Sequence, residues 1–250
     1  MSRSLCRLHL QPNSFSGTPR NFGNASVATT ESARYQLSLS QRASSTRSLL
    51  ELILVFLAID AVLWLPTHEQ LIVGPIALLA PLILVLWRRH GLDDLGLGWR
   101  GFAASLWILP AAVALSVMGV EAAKYAGTFH TLYAPDFSHV GGYVLWTLYQ
   151  QFLLQDFFLT RLSSVLSSNA AIGVAAVLFA LAHLPNIPLV LATLVWGAVS
   201  CALFRRYRNL YVLGLAQGLL GLCFAVCIPD VWLHHMRVGL GFLRYHPMHS

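Results

Sequence analysis

The sequence predicts an all-α, polytopic membrane protein built as a bundle of about seven transmembrane helices. Of its 250 residues, 56% are apolar and 10% are charged, whereas a soluble domain carries about 25% charged residues. From residue 49 onward, apolar runs follow one another with short, arginine-bearing gaps. Each run is close to the length that an α-helix needs to cross about 30 Å of hydrocarbon. These two observations exclude an ordinary soluble enzyme.

The first 48 residues are expected to form a disordered tail. They are rich in Ser and Arg, nearly free of acidic residues and without apolar periodicity, so they cannot bury enough surface to offset the entropy of ordering. The same composition is typical of an organelle transit peptide, and that alternative stays open. The segment is therefore left out of the fold prediction.

Residues 49–228 are predicted to form the transmembrane domain, with a core at about 140–228. Its seven candidate spans cover residues 49–65, 71–87, 102–119, 140–166, 170–184, 188–204 and 210–228. Residues 229–250 are predicted to be a C-terminal tail, and nothing indicates a second domain. Four cysteines, Cys6, Cys201, Cys223 and Cys227, show neither zinc-finger spacing nor a disulfide framework.

The net charge of +6 has two ordinary explanations, binding to nucleic acid or contact with anionic lipid. The basic residues that directly follow apolar runs are Arg88, Arg89, Arg205, Arg206 and Arg208. The positive-inside rule places such charges on the cytoplasmic side, so the partner is expected to be the lipid bilayer and not nucleic acid. A bacterial inner membrane fits this pattern. Arg237 and Arg244 would then lie outside, which leaves the orientation of the last span open.

Polar side chains at membrane depth are the residues most expected to carry function, because each is costly without a partner. The fourth span holds a cluster that includes Gln150, Gln151, Gln155 and Asp156. His183 ends the fifth span, where an isolated histidine is more often a packed residue than a catalyst. Gln217 in the seventh span could simply join two helices. Together these groups could line one cavity.

The order and spacing of these residues resemble the CAAX-protease and bacteriocin-processing family of intramembrane proteases. That family carries Glu-Glu-x-x-x-Arg, then Phe-x-x-x-His, then His-x-x-x-Asn or Asp. The corresponding positions here are Gln150, Gln151, Gln155, Phe179, His183, Gln217 and Gly221. The resemblance implies an α-helical membrane fold and peptide-bond hydrolysis within the membrane. Only the Phe-x-x-x-His motif is complete.

The resemblance also implies a mechanism in which the first Glu activates water and the histidines and Asn polarise it or the peptide oxygen, with or without a metal. A general base must accept a proton near the working pH, and the amides of Gln150 and Gln151 do not. Gln155 lacks the charge of Arg, and Gln217 is a poor zinc ligand. Because the acids and the cation are replaced together, the site is electrically neutral, which avoids an unpaired charge at depth.

Two functional hypotheses follow. In the first, the protein is a non-hydrolytic relative that binds a membrane-bound peptide or protein segment as a scaffold or regulator. In the second, it is an active endopeptidase whose mechanism has moved to His183 with Asp156 or the glutamines. A small-molecule transporter is less favoured, since no internal repeat is evident. No cofactor is assigned: zinc is implied by the resemblance, but His183 is the only candidate ligand.

Overall fold

The computed structural model describes residues 22–88, 91–131 and 137–245, and the regular elements within these ranges are all helical. The longer helices are α1 (Phe22–Leu63), α2 (Thr67–Trp87), α4 (Ile108–Ala126), α5 (Phe137–Phe152), α7 (Ser168–Leu181), α8 (Ile187–Tyr207) and α9 (Leu210–Cys227). The short ones are α3 (Phe102–Ser105), α6 (Thr160–Ser163), α10 (Asp230–Leu233) and α11 (Gly239–Leu243). A π-helix (Leu153–Leu159) joins α5 to α6, and a 3₁₀ turn (His234–Met236) follows α10.

Four segments within the described ranges are long and apolar enough to cross a membrane: Thr67–Trp87, Phe102–Ala126, Ile187–Tyr207 and Leu210–Cys227. The all-helical membrane fold is thereby confirmed, but the count of seven spans is not. The fifth predicted span shows one reason. Helix α7 has 14 residues, which at 1.5 Å per residue reach about 21 Å, less than the hydrocarbon thickness of about 30 Å.

Helix α1 differs from the predicted tail. The structure divides into the units Met1–Ala43 and Ser44–Ser250, and the described part of the first unit is helical from Phe22 onward. The segment contains several strong helix formers, including Ala33, Gln36 and Leu37, and no proline lies between residues 20 and 65. Residues 22–48 are therefore helical where disorder was expected, and residues 1–21 lie outside the described residues.

The C-terminal segment also differs from a tail, because residues 230–243 fold onto the connection between α7 and α8. The buried amide of Asn186 donates to the carbonyls of Leu233 at 2.8 Å and Arg237 at 3.1 Å. The N–H of Gly239 donates to the carbonyl of Leu184 at 2.7 Å. Gly239 has φ +56, and a Cβ there would collide with the Leu63 carbonyl. The segment is held by backbone contacts that no local pattern predicts.

The side chains of Asp230 and His234 in this segment have ordinary structural partners. Asp230 accepts hydrogen bonds from the Tyr245 hydroxyl and from the N–H of His235. Burial raises the pKa of the Asp230 carboxyl, but these hydrogen bonds outweigh it and hold the pKa below its usual value. The ring of His234 stacks on Phe242, with centroids 4.0 Å apart. Neither His234 nor His235 belongs to a group of metal-ligating side chains among the described residues.

Small residues allow the core helices to approach closely. A Cβ on Gly197 of α8 would lie 3.2 Å from Cα of Ala176 in α7, and Gly214 of α9 leaves space for Leu148 of α5. Such contacts are typical of helix pairs in membranes, where close packing replaces the hydrophobic driving force. They bring α5, α7, α8 and α9 around the polar residues of the fourth predicted span.

Several arginines are collected at one end of the bundle, called here the arginine end. Glu51 of α1 contacts Arg88, directly after α2, and Arg161 of α6. The loop that follows α2 lies against the α8–α9 connection, where the N–H of Leu210 donates to the carbonyl of Gly96 at 2.9 Å. Arg208 is part of that connection. This arrangement agrees with a common cytoplasmic side for these charges.

We predict that the arginine end faces the cytoplasm and that Thr67 faces the other side. In a variant without the native cysteines, single cysteines placed at Thr67 and at Arg206, both exposed in the structure, would be treated with a membrane-impermeant maleimide. Labelling of intact cells should be strong at position 67 and weak at position 206, and lysis should equalise the two. Stronger labelling of intact cells at position 206 would reverse the orientation.

Candidate active site

One face of α5 and the following π-helix carries three polar side chains toward α8 and α9. The hydroxyl of Thr147 donates to the carbonyl of Gly214 at 3.0 Å. Gln151 and Gln155 follow at successive turns, and both are fully buried. The three side chains are spaced four residues apart and lie on one face, and the π-helix begins between Gln151 and Gln155. π-Helices are rare and occur often at functional sites.

Four glutamines form a continuous chain of hydrogen bonds. Gln217 Nε2 donates to Gln150 Oε1 at 2.5 Å, and Gln151 Nε2 donates to Gln217 Oε1 at 2.5 Å. Gln155 Nε2 donates to Gln151 Oε1 at 3.0 Å and to the hydroxyl of Ser200 at 3.3 Å. We call these four side chains the amide network. The structure thus brings together the positions that the family motif assigns to two Glu, an Arg and a His.

Trp196 sets the direction of every bond in the amide network. Its indole Nε1, which can only donate, lies 3.0 Å from Gln217 Oε1. The oxygen of Gln217 must therefore face Trp196 and Gln151, and its Nε2 must face Gln150. It follows that Gln150 presents its oxygen to the network, whereas Gln151 presents its nitrogen to Gln217 and its oxygen to Gln155.

Two atoms of the network have no bond to a described residue. Gln155 Oε1 is buried without a partner, and the Nε2 of Gln150, a half-buried side chain, makes no described hydrogen bond. Each of the other six amide N and O atoms of the network makes at least one hydrogen bond to an amide, a hydroxyl or the indole. The network can donate and accept hydrogen bonds, but it holds no group that takes up a proton near neutral pH.

His183 lies two residues after the end of α7 and shares no described hydrogen bond with the amide network. Its Nδ1 is 2.7 Å from the carbonyl of Phe179, so Nδ1 carries the proton and donates. No hydrogen bond joins its Nε2 to another described residue. Phe179 packs at Gly197, the neighbour of Trp196. None of the described hydrogen bonds connects His183 to the amide network.

Asp156 and Arg161 do not pair with each other through their side chains. Asp156 lies in the π-helix with 3% of its surface exposed, and its Oδ2 makes no hydrogen bond to any residue that the structure describes. Arg161 instead pairs with Glu51, at 3.1 Å. No hydrogen bond or ion pair among the described residues joins Asp156 to His183.

The residues present do not fit a zinc ion. Structural and catalytic zinc sites use at least three imidazole, thiolate or carboxylate ligands, and no group of three such side chains occurs among the described residues. At the positions implied by the family motif, His183 alone offers such a ligand, and the other side chains are amides bonded to one another. No step of a mechanism is therefore assigned to a metal.

The comparison with protein families covers both the amide network and His183. The sequence model described as "Type II CAAX prenyl endopeptidase Rce1-like" matches residues 39–223. The chain belongs to this family. No curated protein and no solved structure matched the chain. The match begins in α1 and ends in α9, so this CAAX-endopeptidase relative carries its amide network within the family's own domain.

Sequence reasoning missed several residues that shape this site. Trp196 and Ser200 of α8 hold the amide network from the side opposite α5, although neither belongs to the family motif. Glu51, which holds Arg161, was also missed. One signal was present for Glu51, because it is an acidic residue within an apolar run, and such a residue requires a partner.

Proposed function

We propose that the protein is a non-hydrolytic member of its family that binds a lipidated or transmembrane peptide segment, as a scaffold or regulator. The amide network is the observation that supports this most strongly. Its hydrogen bonds satisfy the residues that stand where the family motif has acids, a cation and an imidazole. Water activation would need a base there, and the four glutamines supply none.

Peptide binding is supported by the one group that the network leaves available at its edge. Gln150 Nε2, on a half-buried side chain, can donate to a peptide carbonyl. A membrane-bound peptide has carbonyls to offer, and in a low-dielectric interior each unpaired polar group is costly. Gln150, at the partly exposed edge of the network, is therefore the binding residue that we propose.

We predict that the purified protein in proteoliposomes cleaves neither prenylated CAAX peptides nor transmembrane peptides, with or without zinc. His183→Ala should leave this result unchanged, and a proteolytically active intramembrane protease reconstituted in parallel serves as the positive control. Product formation would be followed by mass spectrometry. Cleavage by the wild-type protein that is lost in His183→Ala would overturn the non-hydrolytic proposal.

We predict that Gln150→Glu does not create activity, because the Arg expected at position 155 and the His expected at position 217 are still absent. Gln150→Ala should weaken binding of a fluorescent prenylated peptide about two- to tenfold, as loss of one hydrogen bond would. Gln70→Ala, whose side chain bonds only to the Leu65 carbonyl among described residues, is the control. Equal affinity of both alanine variants would remove Gln150 from the binding site.

The second candidate is an active endopeptidase that uses His183 and Asp156, and the unpartnered Asp156 carboxylate oxygen favours it. It requires Asp156 to reach His183 or a shared water, although the two residues make no described contact. Asp156→Asn discriminates between the candidates: it should abolish cleavage only if this second mechanism operates. We also propose a bacterial cytoplasmic membrane as the location, supported by the arginine end.

A further inference from the structure

Three guanidinium groups converge on one carboxylate at the arginine end. Arg47 Nε lies 3.0 Å from Glu51 Oε1, and Arg88 Nη2 lies 2.7 Å from Glu51 Oε2. Arg161 reaches the same Oε2 with Nε at 3.2 Å and Nη2 at 3.1 Å. Three positive charges therefore surround one negative charge. Among the described residues, no second carboxylate pairs with any of these arginines, so the cluster holds a surplus of two positive charges.

The three arginines differ in how much of this charge they can offer to a ligand. The side chain of Arg161 is 1% exposed, so its charge is held inside the bundle by Glu51. The side chains of Arg88 and Arg47 are 33% and 74% exposed. Their remaining N–H groups donate to no other described residue. Arg47 and Arg88 thus have N–H donors that a ligand can reach from solvent. The buried Arg161 adds positive electrostatic potential but no accessible donor.

A cavity of about 280 Å³ opens beside these groups. Its lining residues are Ser44, Arg47, Glu51, Leu84, Trp87 and Arg88. The polar residues supply a hydroxyl, two guanidinium groups and the Glu51 carboxylate that pairs with both guanidiniums, and Leu84 and Trp87 are apolar. A cavity of this size admits a phosphate group together with the atoms esterified to it. A lining that combines a surplus of positive charge with apolar side chains matches a ligand that is anionic at one end and apolar at the other.

The cavity also lies where such a ligand would be found. Leu84 and Trp87 are in the last turn of α2, a helix that can span the membrane, and Trp87 is 78% exposed. Exposed tryptophans at the ends of membrane helices lie at the level of the lipid headgroups. The guanidinium groups next to Trp87 are consequently placed at headgroup depth, where arginine binds phosphate through paired N–H donors.

We propose that the Arg47–Arg88 cavity is a binding site for a phosphate group, supplied by an anionic phospholipid at the membrane surface. Arg47 and Arg88 bind the phosphate oxygens, Ser44 donates a further hydrogen bond, and Leu84 and Trp87 contact the acyl chains. Glu51 keeps the two outer guanidiniums in place. This site is separate from the amide network, so it does not depend on whether the protein hydrolyses peptides.

The test measures lipid binding to the full-length protein in neutral detergent micelles. Short-chain phosphatidylglycerol, phosphatidylcholine and inorganic phosphate would be titrated separately, with native mass spectrometry and thermal unfolding as readouts. Phosphatidylglycerol should bind and raise the midpoint of unfolding, whereas phosphatidylcholine should not. Weak binding of inorganic phosphate that competes with phosphatidylglycerol would agree with the site, because both carry the same anionic group. If inorganic phosphate binds and phosphatidylglycerol does not, the proposal that a phospholipid supplies the phosphate group is wrong.

Two variants locate the site. Arg47→Gln and Arg88→Gln should each weaken phosphatidylglycerol binding about fivefold, the effect of one basic residue near an anionic surface. Arg206→Gln removes the same charge from an exposed residue on α8 and should leave the affinity within twofold of wild type. Arg47 is exposed enough that its removal should not unfold the protein, which circular dichroism would check. Equal losses in all three variants would show a diffuse charge effect and overturn the site.

Discussion

Glu51→Gln is expected to destabilise the protein by about 3–5 kcal/mol, the usual cost of removing one partner from a buried ion pair. Arg161 would remain inside the bundle, stacked on Phe157 at 3.6 Å from the ring centroid, with no carboxylate to balance it. Its other described contacts are the carbonyls of Asp156 and Phe157, both at 3.4 Å. Two long hydrogen bonds to neutral groups do not replace an anion.

Glu121→Gln is the matched control for this experiment. Glu121 pairs with Lys124 at 2.7 Å, but the two side chains are 64% and 51% exposed. An exposed pair of this kind contributes at most about 1 kcal/mol. Both variants would be unfolded in mixed micelles with increasing denaturing detergent, and helicity would be monitored. Equal destabilisation would show that Arg161 does not depend on Glu51.

Gln151→Glu is expected to destabilise the protein by about 3 kcal/mol or more, because it places a buried acceptor against another acceptor. Gln151 Nε2 is the group that donates to Gln217 Oε1, and Trp196 prevents Gln217 from turning its amide over. A carboxylate at position 151 would face that oxygen with no proton between them. It would also be a buried charge without a cation among its described neighbours.

Gln150→Glu makes the same chemical change one residue earlier and should stay within about 1.5 kcal/mol of wild type. The oxygen of Gln150 already accepts from Gln217 Nε2, and a carboxylate oxygen can accept in its place. The quantity to be measured is the difference in free energy of unfolding between the two variants, obtained with the same unfolding titration. If the two variants are equally stable, the direction of the hydrogen bonds in the amide network is wrong.

Much of the fold could be predicted from the amino-acid composition, the length of the apolar runs and the helical spacing of the polar residues. Apolar runs at α2, α8 and α9 are long enough to predict spans, and each is a helix in the structure. The four-residue spacing of Thr147, Gln151 and Gln155 requires them to share one face of a helix, and in the structure they do. The helical start at Phe22 and the packed segment after Pro229 were not predicted. Local composition carries no information on contacts between distant parts of the chain.

For the candidate site, the sequence by itself determined which chemical groups are present. It showed that the motif positions hold neutral amides and one imidazole, because side-chain chemistry does not depend on folding. Only the tertiary structure decided how these groups pair. Gln151 meets Gln217 across 66 positions of sequence, and Arg161 meets Glu51 across 110. The donor direction set by Trp196 and the surplus charge beside Glu51 both depend on such pairings, which helix packing creates and no local pattern encodes.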